Sequence, residues 1–265
     1  MNIGVFDSGL GGLTVVSAIE KIMKGVNIFY VADTKHAPYG EKTPSQIRQY
    51  SLNITAYLIA TYKIDALVLA CNTATSFAIE SLRLLYPHLI IIGTEPGLKP
   101  AVLQSKRGKI AVLATPATLK SSKYQSLATV LSKDTKIQFF EQACYGLVEQ
   151  IEKGELCSDK TKALLSSWLI PMKAEGVDTI VLGCTHYPLV AQTISHIMKD
   201  DVVLIDTGMA IGQRLLTLAL KQGYHNEGNT SLHLEATGHI VEEMVSKILH
   251  RHYTIKKTFI DNRLK

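Results

Sequence analysis

The chain has 265 residues, of which 46% are hydrophobic and 19% charged, and its formal net charge is +5. This length suits about two domains, and the composition excludes an intrinsically disordered polymer. The positive excess is spread over short patches without interleaved aromatic residues, so we expect no binding to nucleic acid. No run of about 18 apolar residues occurs, so we expect no association with a membrane through a spanning segment.

The cysteine pattern and the first residues indicate where the protein works. The four cysteines have no CxxC spacing, and nothing else in the sequence suggests secretion. Residues 1–7 resemble a buried strand rather than a signal peptide, because no basic segment precedes a longer apolar stretch. We therefore expect a reducing, cytoplasmic location in which free thiols persist.

Short apolar runs alternate with longer amphipathic runs along nearly the whole chain. The apolar runs predict strands at residues 3–6, 27–31, 66–70, 90–93, 110–113, 136–140, 179–183 and 202–205. The amphipathic runs predict helices that include residues 44–62, 73–85, 160–175 and 189–198. This alternation predicts an α/β fold with parallel sheets and helices on both faces. Residues 226–265 carry no readable motif.

The chain also contains an internal repeat, and this repeat predicts the domain organisation. Residues 65–73 (DALVLACNT) match residues 178–186 (DTIVLGCTH), and residues 92–95 match residues 205–208 at the same offset of 113. Residues 2–6 (NIGVF) lie against residues 109–113 (KIAVL). We therefore predict two pseudo-symmetric parallel-sheet α/β domains with the active site in the cleft between them. Residues 1–95 with 208–265 form the first domain, which carries Cys71, and residues 96–207 form the second, which carries Cys184.

The repeat places Cys71 and Cys184 at equivalent strand ends. Ligands of parallel α/β sheets bind beyond the carboxyl ends of the strands. Each cysteine is followed by residues of good N-capping type, namely Asn72, Thr73 and Thr185. A thiol at a helix N-terminus has a lowered pKa. Two opposed thiols suit the inversion of an amino-acid Cα, which needs a base on one face and an acid on the other. A buried packing role is the alternative for each cysteine taken alone.

A glycine-rich turn follows the first predicted strand at residues 7–12 (DSGLGG). A dinucleotide-binding fingerprint would need glycine at position 14, which is Thr14, and no Gly-Lys-Ser/Thr phosphate loop is present. The turn instead suits a small carboxylate, which backbone N–H groups and the Ser8 hydroxyl would bind. Asp7 could bind the substrate ammonium group or assist proton transfer near Cys71, and its alternative role is to cap the first helix.

His186 is the remaining candidate beside a cysteine, because it could tune the Cys184 thiol or bind a carboxylate. Cys71, Cys184, His186 and Asp7 could in principle bind zinc, but that interpretation leaves the repeat unexplained. Cys144 and Cys157 have no matching context, so we assign them to packing or to the surface. For Glu152, at the end of a predicted helix, a solvated position is the default.

With these residues in view, the chain resembles the glutamate racemases of the aspartate/glutamate racemase superfamily. The resemblance runs from about residue 3 to residue 210. Its motifs are residues 6–12 (FDSGLGG), 32–40 (ADTKHAPYG), 70–74 (ACNTA) and 183–188 (GCTHYP). Two segments depart from the family pattern: Thr94 stands where an aliphatic residue is usual, and residues 143–146 (ACYG) replace the more frequent Ala-Cys-Pro.

The resemblance implies racemisation of glutamate without pyridoxal phosphate, metal or nucleotide, supplying D-glutamate for peptidoglycan. It implies that Cys71 deprotonates D-glutamate with support from Asp7, and that Cys184 deprotonates L-glutamate with support from His186 and Glu152. It also implies a homodimer. No N-terminal extension of the kind linked to precursor activation in some relatives is present, so we expect no such requirement. The implied substrate contacts, besides Asp7 and His186, are Ser8, Tyr39, Gly40, Asn72, Thr73, Thr115, Thr118 and Thr185.

Two other functions remain open from the sequence. The first is a sister enzyme with the same two cysteines, such as an aspartate racemase, because one methylene changes recognition by only about 1–3 kcal/mol. The second is a non-catalytic amino-acid-binding protein, against which the presence of both strand-end cysteines argues.

Overall fold

The computed structural model describes residues 1–133, 136–199 and 201–260. The chain forms two compact units, of which unit 1 comprises Met1–Thr94 with Gly208–Lys265 and unit 2 comprises Glu95–Thr207. Each unit contains one sheet, and every strand pair within the described residues is parallel. The predicted α/β class with two parallel-sheet domains is therefore confirmed.

The strands, numbered in chain order, are β1 (Asn2–Asp7), β2 (Asn27–Ala32), β3 (Ala66–Leu69), β4 (Ile90–Gly93), β5 (Lys109–Ala114), β6 (Gln138–Ala143), β7 (Thr179–Gly183), β8 (Val203–Ile205), β9 (Ser231–Ala236) and β10 (Ile255–Lys257). The helices are α1 (Leu13–Ile22), α2 (Pro44–Tyr62), α3 (Asn72–Leu85), α4 (Leu98–Gln104), α5 (Pro116–Lys120), α6 (Ser122–Ser132), α7 (Leu147–Glu152), α8 (Asp159–Ala174), α9 (Ala191–Met198), α10 (Gly208–Lys221) and α11 (Glu242–Leu249). Short 3-10 turns occur at Tyr39–Glu41 and Tyr187–Val190. In the part of the chain that the structure describes, no helix combines the length and the hydropathy needed to cross a membrane.

The sheet of unit 1 has the order β10-β9-β2-β1-β3-β4. Its central strands are buried on both faces, which explains why β1 and β3 are almost continuously apolar. Phe6, Leu58, Leu67 and Leu82 belong to one buried cluster, which joins β1 and β3 to helices α2 and α3. The core of unit 1 therefore fixes the carboxyl ends of β1 and β3 relative to each other.

Helix α2 shows how local sequence sets an element. Thr43 caps its N-terminus, because the Thr43 hydroxyl accepts from the Gln46 N–H while the Gln46 side chain accepts from the Thr43 N–H. Pro44 follows at the first helical position, where its missing N–H is no loss. Lys63 ends the helix in the left-handed conformation. These signals account for the agreement between the predicted and observed ends of this helix.

The C-terminal residues complete the sheet of unit 1. Strand β9 pairs in parallel with β2, and β10 pairs with β9. Glu235, on β9, is a buried carboxylate that accepts hydrogen bonds from Tyr57 (2.7 Å), Tyr62 and Lys256 (2.9 Å). This network attaches β9 and β10 to helix α2.

The sheet of unit 2 has the order β6-β5-β7-β8. Its buried cluster includes Ile110 and Val112 of β5, Val181 of β7 and Leu98 of α4. The same arrangement occurs in unit 1 as β2-β1-β3-β4. The sequence repeat therefore corresponds to a repeated four-strand order, in which β3 and β7 occupy equivalent places.

Apart from shifts of one residue at element ends, the structure differs from the predicted elements in three places. Strands β9 and β10 are not among the predicted elements, although residues 231–236 (SLHLEA) alternate polar and apolar residues and could have indicated β9. Strand β6 begins and ends later than the predicted 136–140. Its C-terminal half is polar and only partly buried, so this half lacks the apolar run that indicates a strand. The predicted helix 189–198 is replaced by the 3-10 turn Tyr187–Val190 followed by α9.

Candidate active site

The two candidate bases occupy equivalent positions at the carboxyl ends of β3 and β7. Cys71 lies two residues after β3, and Cys184 lies directly after β7. Neither cysteine forms a disulfide within the described residues, and the two residues are only 6% and 8% exposed. Buried thiols at this edge of a parallel sheet are positioned to meet a ligand rather than bulk water.

Cys71 is itself the N-cap of helix α3. Its sulfur accepts a hydrogen bond from the Ala74 N–H at 3.4 Å, which is the bond that a capping serine or aspartate usually accepts. The sequence had pointed to Asn72 and Thr73 as capping residues, but both lie inside the helix. The positive end of the α3 dipole therefore acts directly on the Cys71 sulfur.

Asp7 and Ser8 approach Cys71 from the end of the neighbouring strand β1. The Ser8 oxygen lies 3.8 Å from the Cys71 sulfur. The Asp7 carboxylate is fully buried and accepts from the Gly9 N–H at 2.8 Å, which holds the glycine-rich turn. The alternative role of Asp7 as the cap of α1 is not observed, because Gly12 is the N-cap of α1 and no side-chain capping bond forms there. Asp7, Ser8 and Cys71 therefore form one group in unit 1.

Tyr39 is buried in the same cluster as Cys71, and its backbone begins the 3-10 turn that contains Gly40. Its hydroxyl donates to Asp33 Oδ2 at 2.5 Å. Burial, reinforced by the Asp33 charge, raises the pKa of Tyr39 well above its ordinary value, so the hydroxyl stays protonated. Sequence reasoning assigned no role to Asp33, although it follows strand β2 inside a quoted motif.

Asn72 and Thr73 occupy the first turn of α3 and are 4% and 2% exposed. The Asn72 amide nitrogen is buried and has no hydrogen-bond partner among the described residues. Buried polar groups are nearly always satisfied in the functional state. A ligand oxygen at this point would complete the bonding of Asn72.

Cys184 has a different environment, formed by His186 and Glu152. The Cys184 sulfur lies 3.6 Å from His186 Nδ1, and His186 Nε2 lies 2.6 Å from Glu152 Oε1. Glu152, at the end of α7, is 23% exposed, whereas His186 is 2% exposed. The solvated position assigned to Glu152 by default is therefore only partly correct, because its carboxylate is bonded to the buried ring.

This chain of contacts controls the protonation of His186. Burial opposes the charged ring, but the hydrogen bonds and charges of Cys184 and Glu152 outweigh it, and the pKa of His186 lies well above its ordinary value. A protonated imidazole next to sulfur stabilises a thiolate. The expectation that a helix N-terminus stabilises the Cys184 thiolate is wrong, because the 3-10 turn Tyr187–Val190 lies between Cys184 and helix α9.

The other predicted residues of unit 2 lie around the same strand ends. Thr115 caps α5, and its hydroxyl lies 2.9 Å from that of Thr118, which is fully buried. Thr185 is 5% exposed beside Cys184. Cys144 is buried and Cys157 exposed, in keeping with their assignment to packing and surface.

The zinc alternative would require clustered donor side chains. Within residues 1–133, 136–199 and 201–260, no group of three or more His, Cys, Asp or Glu residues could hold a metal ion.

The fold and the strand-end cysteines define a class of two-unit parallel α/β proteins, and solved structures of this class resemble the chain closely. A glutamate racemase isoform from Bacillus anthracis superposes with a TM-score of 0.86 at 29% identity, covering 97% of each chain. Glutamate racemase from Francisella tularensis, solved in complex with D-glutamate, superposes with a TM-score of 0.84 at 26% identity, covering 98% of each chain.

Sequence comparison identifies the family. Residues 3–215 match the model of the Asp/Glu/hydantoin racemase family. Glutamate racemase from Sulfurovum sp. (strain NBC37-1) is 60% identical over 249 residues, which are 94% of this chain and 94% of that protein. The chain therefore belongs to the Asp/Glu/hydantoin racemase family, a group of isomerases, and the resemblance drawn from its motifs is confirmed.

Proposed function

We propose that this protein is a glutamate racemase that interconverts L- and D-glutamate with two cysteine bases and no cofactor. The observation that carries this proposal is the equivalence of Cys71 and Cys184, each buried at the same strand end of a repeated sheet. The names of the similar proteins support glutamate as the substrate.

In the proposed reaction the two thiols exchange roles. One cysteine, as thiolate, removes the α-proton, and the other, as thiol, delivers a proton to the opposite face of the same carbon. Cys71 deprotonates D-glutamate and Cys184 deprotonates L-glutamate. Because substrate and product are mirror images, a near-symmetric pair of general bases serves both directions.

The two halves stabilise their thiolates by different means. At Cys71, the N-terminus of α3 and the Ala74 N–H favour negative charge on sulfur, and Asp7 assists the transfer or binds the substrate ammonium group. At Cys184, the His186 imidazolium balances the thiolate, and Glu152 holds the ring in place. Each half can thus stabilise its sulfur as a thiolate when that cysteine acts as the base, although the sulfur is largely shielded from water.

The proposed substrate contacts are small polar groups around the two thiols. In unit 1, the backbone and hydroxyl of Ser8, the turn Tyr39–Gly40, and Asn72 with Thr73 are suited to the α-carboxylate and the ammonium group. The orphaned Asn72 amide is the strongest support for such a contact. In unit 2, the corresponding contacts are Thr115, Thr118, Thr185 and His186.

The cellular role follows from the reaction. D-glutamate made in this way would supply peptidoglycan synthesis. None of the four cysteines, all of which lie in the described ranges, forms a disulfide, and this supports a reducing compartment. We place the protein in the cytoplasm, as a homodimer.

The direct test incubates purified, dialysed protein with L-glutamate in heavy water without added cofactor. Circular dichroism follows the loss of optical activity, and proton NMR follows exchange of the Cα–H. We expect both signals to disappear together, because each inversion passes through removal of the α-proton.

The same assay with aspartate separates the alternatives. Activity on aspartate alone would keep the two-cysteine chemistry and reject glutamate as the substrate. Silence on both amino acids would reject the proposed racemase function altogether.

A further inference from the structure

The C-terminal part of the chain reaches the proposed substrate site of unit 1 through the residues that follow strand β9. Thr237 comes directly after β9 and is 6% exposed. Its N–H donates to the Ala32 carbonyl at 3.0 Å, so it continues the pairing of β9 with β2 by one residue. Thr237 therefore lies beside Asp33, the first residue after β2.

The Thr237 hydroxyl makes two hydrogen bonds to the loop that follows β2. It donates to Asp33 Oδ1 at 2.7 Å and accepts from the Lys35 N–H at 3.1 Å. Next to it, the Gly238 N–H donates to the Thr34 hydroxyl at 2.9 Å. A Cβ at Gly238 would lie 2.8 Å from the Lys35 nitrogen, so the two backbones approach too closely for a side chain there. The loops after β2 and β9 are therefore bonded side by side.

Asp33 connects this contact to the proposed substrate site. Its buried carboxylate accepts from the Thr237 hydroxyl through Oδ1 and from the Tyr39 hydroxyl, at 2.5 Å, through Oδ2. The His36 ring nitrogen Nδ1 also lies 3.0 Å from both carboxylate oxygens. The Asp33 N–H donates to the Asp7 carbonyl at 2.9 Å. Asp33 thus fixes Tyr39 relative to the end of β1, and Thr237 helps to fix Asp33.

We propose that Thr237 is a positioning residue of the substrate site. Its hydroxyl orients the Asp33 carboxylate, and this carboxylate holds the turn Tyr39–Gly40 in the place where the substrate binds. A binding group keeps its geometry only when the residues behind it are themselves held by hydrogen bonds and packing. The inference rests on the proposed racemase function, in which the turn Tyr39–Gly40 contacts the substrate.

The main variant is Thr237→Val, which keeps the shape of the side chain but can neither donate nor accept a hydrogen bond. We expect KM to rise about threefold to tenfold for both enantiomers, as for one lost hydrogen bond, while kcat changes by less than about twofold. Circular dichroism at varied glutamate concentrations measures both constants. Partial misfolding would instead lower the apparent kcat and leave KM unchanged, because it only reduces the amount of active protein.

Two further variants serve as controls. Thr237→Ser keeps a hydroxyl and should bring KM back to within about twofold of the wild-type value. Thr258→Val is the matched control, because Thr258 follows β10 directly, is also 6% exposed, and donates its N–H to the Ala236 carbonyl at 2.9 Å. The Thr258 hydroxyl donates to Tyr57 rather than to Asp33, so KM should stay at its wild-type value. An unchanged KM in Thr237→Val, or an equal rise in Thr258→Val, would overturn the proposal.

A second readout does not depend on racemisation. Amide hydrogen–deuterium exchange, followed by mass spectrometry without substrate, reports how firmly residues 33–41 are held. In Thr237→Val, exchange in this segment should become about threefold to tenfold faster while residues 66–69 stay unchanged, and Thr258→Val should match the wild type in both segments. Unchanged exchange in residues 33–41, or an equal rise in both segments, would overturn the positioning role. If the wild-type protein did not racemise glutamate, the proposed function would fail, and the exchange rates would still decide whether Thr237 holds this loop.

Discussion

The two cysteine sites share a place in the fold but differ in chemistry. The Cys71 sulfur contacts two small groups, the Ala74 N–H and the Ser8 hydroxyl, at the N-terminus of helix α3. Cys184 has a 3-10 turn after it and a His186–Glu152 pair beside it. The repeated sheet therefore gives the two thiols equivalent positions, whereas the residues that tune each thiol differ between the two units.

The largest effect should come from changing the sulfur atoms themselves. Cys71→Ser or Cys184→Ser should lower turnover by roughly 10²–10⁴-fold, because an alcohol is a far poorer base than a thiolate. Steady-state racemisation measured by circular dichroism checks this, with Cys157→Ser as the exposed-cysteine control. More than a tenth of wild-type turnover in either variant would contradict the two-base scheme.

The next test exposes the difference between the halves. His186→Asn and Asp7→Asn should each reduce kcat/KM by roughly tenfold to a hundredfold. Their isotope effects should move oppositely, since His186 acts at Cys184 and Asp7 at Cys71. In the proposed scheme, Cys184 removes the deuteron from L-glutamate that is deuterated at Cα. The deuterium isotope effect on kcat/KM with this substrate should therefore rise for His186→Asn and fall for Asp7→Asn. Shifts in the same direction would mean that the two halves are not separately tuned.

A smaller effect is expected from Glu152→Gln. Glu152 helps to raise the pKa of His186, so its loss should lower that pKa and move the alkaline limb of the kcat/KM profile to lower pH. Activity at pH 7 should fall only severalfold, because the Cys184 contact remains. The exposed carboxylate of Glu155, three residues further on, provides the control Glu155→Gln. An unmoved alkaline limb would show that Glu152 does not govern His186.

The smallest effect on activity should come from Glu235→Gln, because Glu235 lies on β9, which strands β2 and β1 separate from β3 in the sheet of unit 1. Burial raises the pKa of Glu235, but hydrogen bonds from Tyr62, Tyr57 and Lys256 lower it by more, leaving it below its ordinary value. The ionised Glu235 carboxylate therefore stabilises the fold at pH values above its pKa in the unfolded chain. This stabilisation is lost as the pH falls through its pKa in the folded protein. The variant should lose about 1–3 kcal/mol at pH 7.

Urea denaturation of wild type and Glu235→Gln, at pH 7 and again near pH 4, measures this difference. The two stabilities should converge as pH falls. If the difference in free energy of unfolding stayed constant with pH, the destabilisation would come from packing rather than from the charge of Glu235.

The sequence was informative wherever one residue type carried both structure and chemistry. The apolar runs that end at Cys71 and Cys184 predicted β3 and β7, and the offset of 113 residues predicted the repeated sheet order. The resemblance assigned both His186 and Glu152 to the Cys184 half, but their direct contact at 2.6 Å needed coordinates, because 34 residues separate them in sequence. Strand β9 was missed although its six residues alternate polar and apolar, because its three apolar side chains are separated by polar ones and do not form the continuous apolar run that indicated the other strands.

The pairing of β2 with β9 has a consequence for how the chain acquires its structure. Unit 2 is one continuous stretch, whereas the partner strand of β2 lies about 200 residues downstream. During synthesis on a ribosome, unit 2 can be complete while β2 still presents an open edge. Such an edge recruits other chains, so truncation before β9 should give aggregation-prone fragments rather than a shortened enzyme.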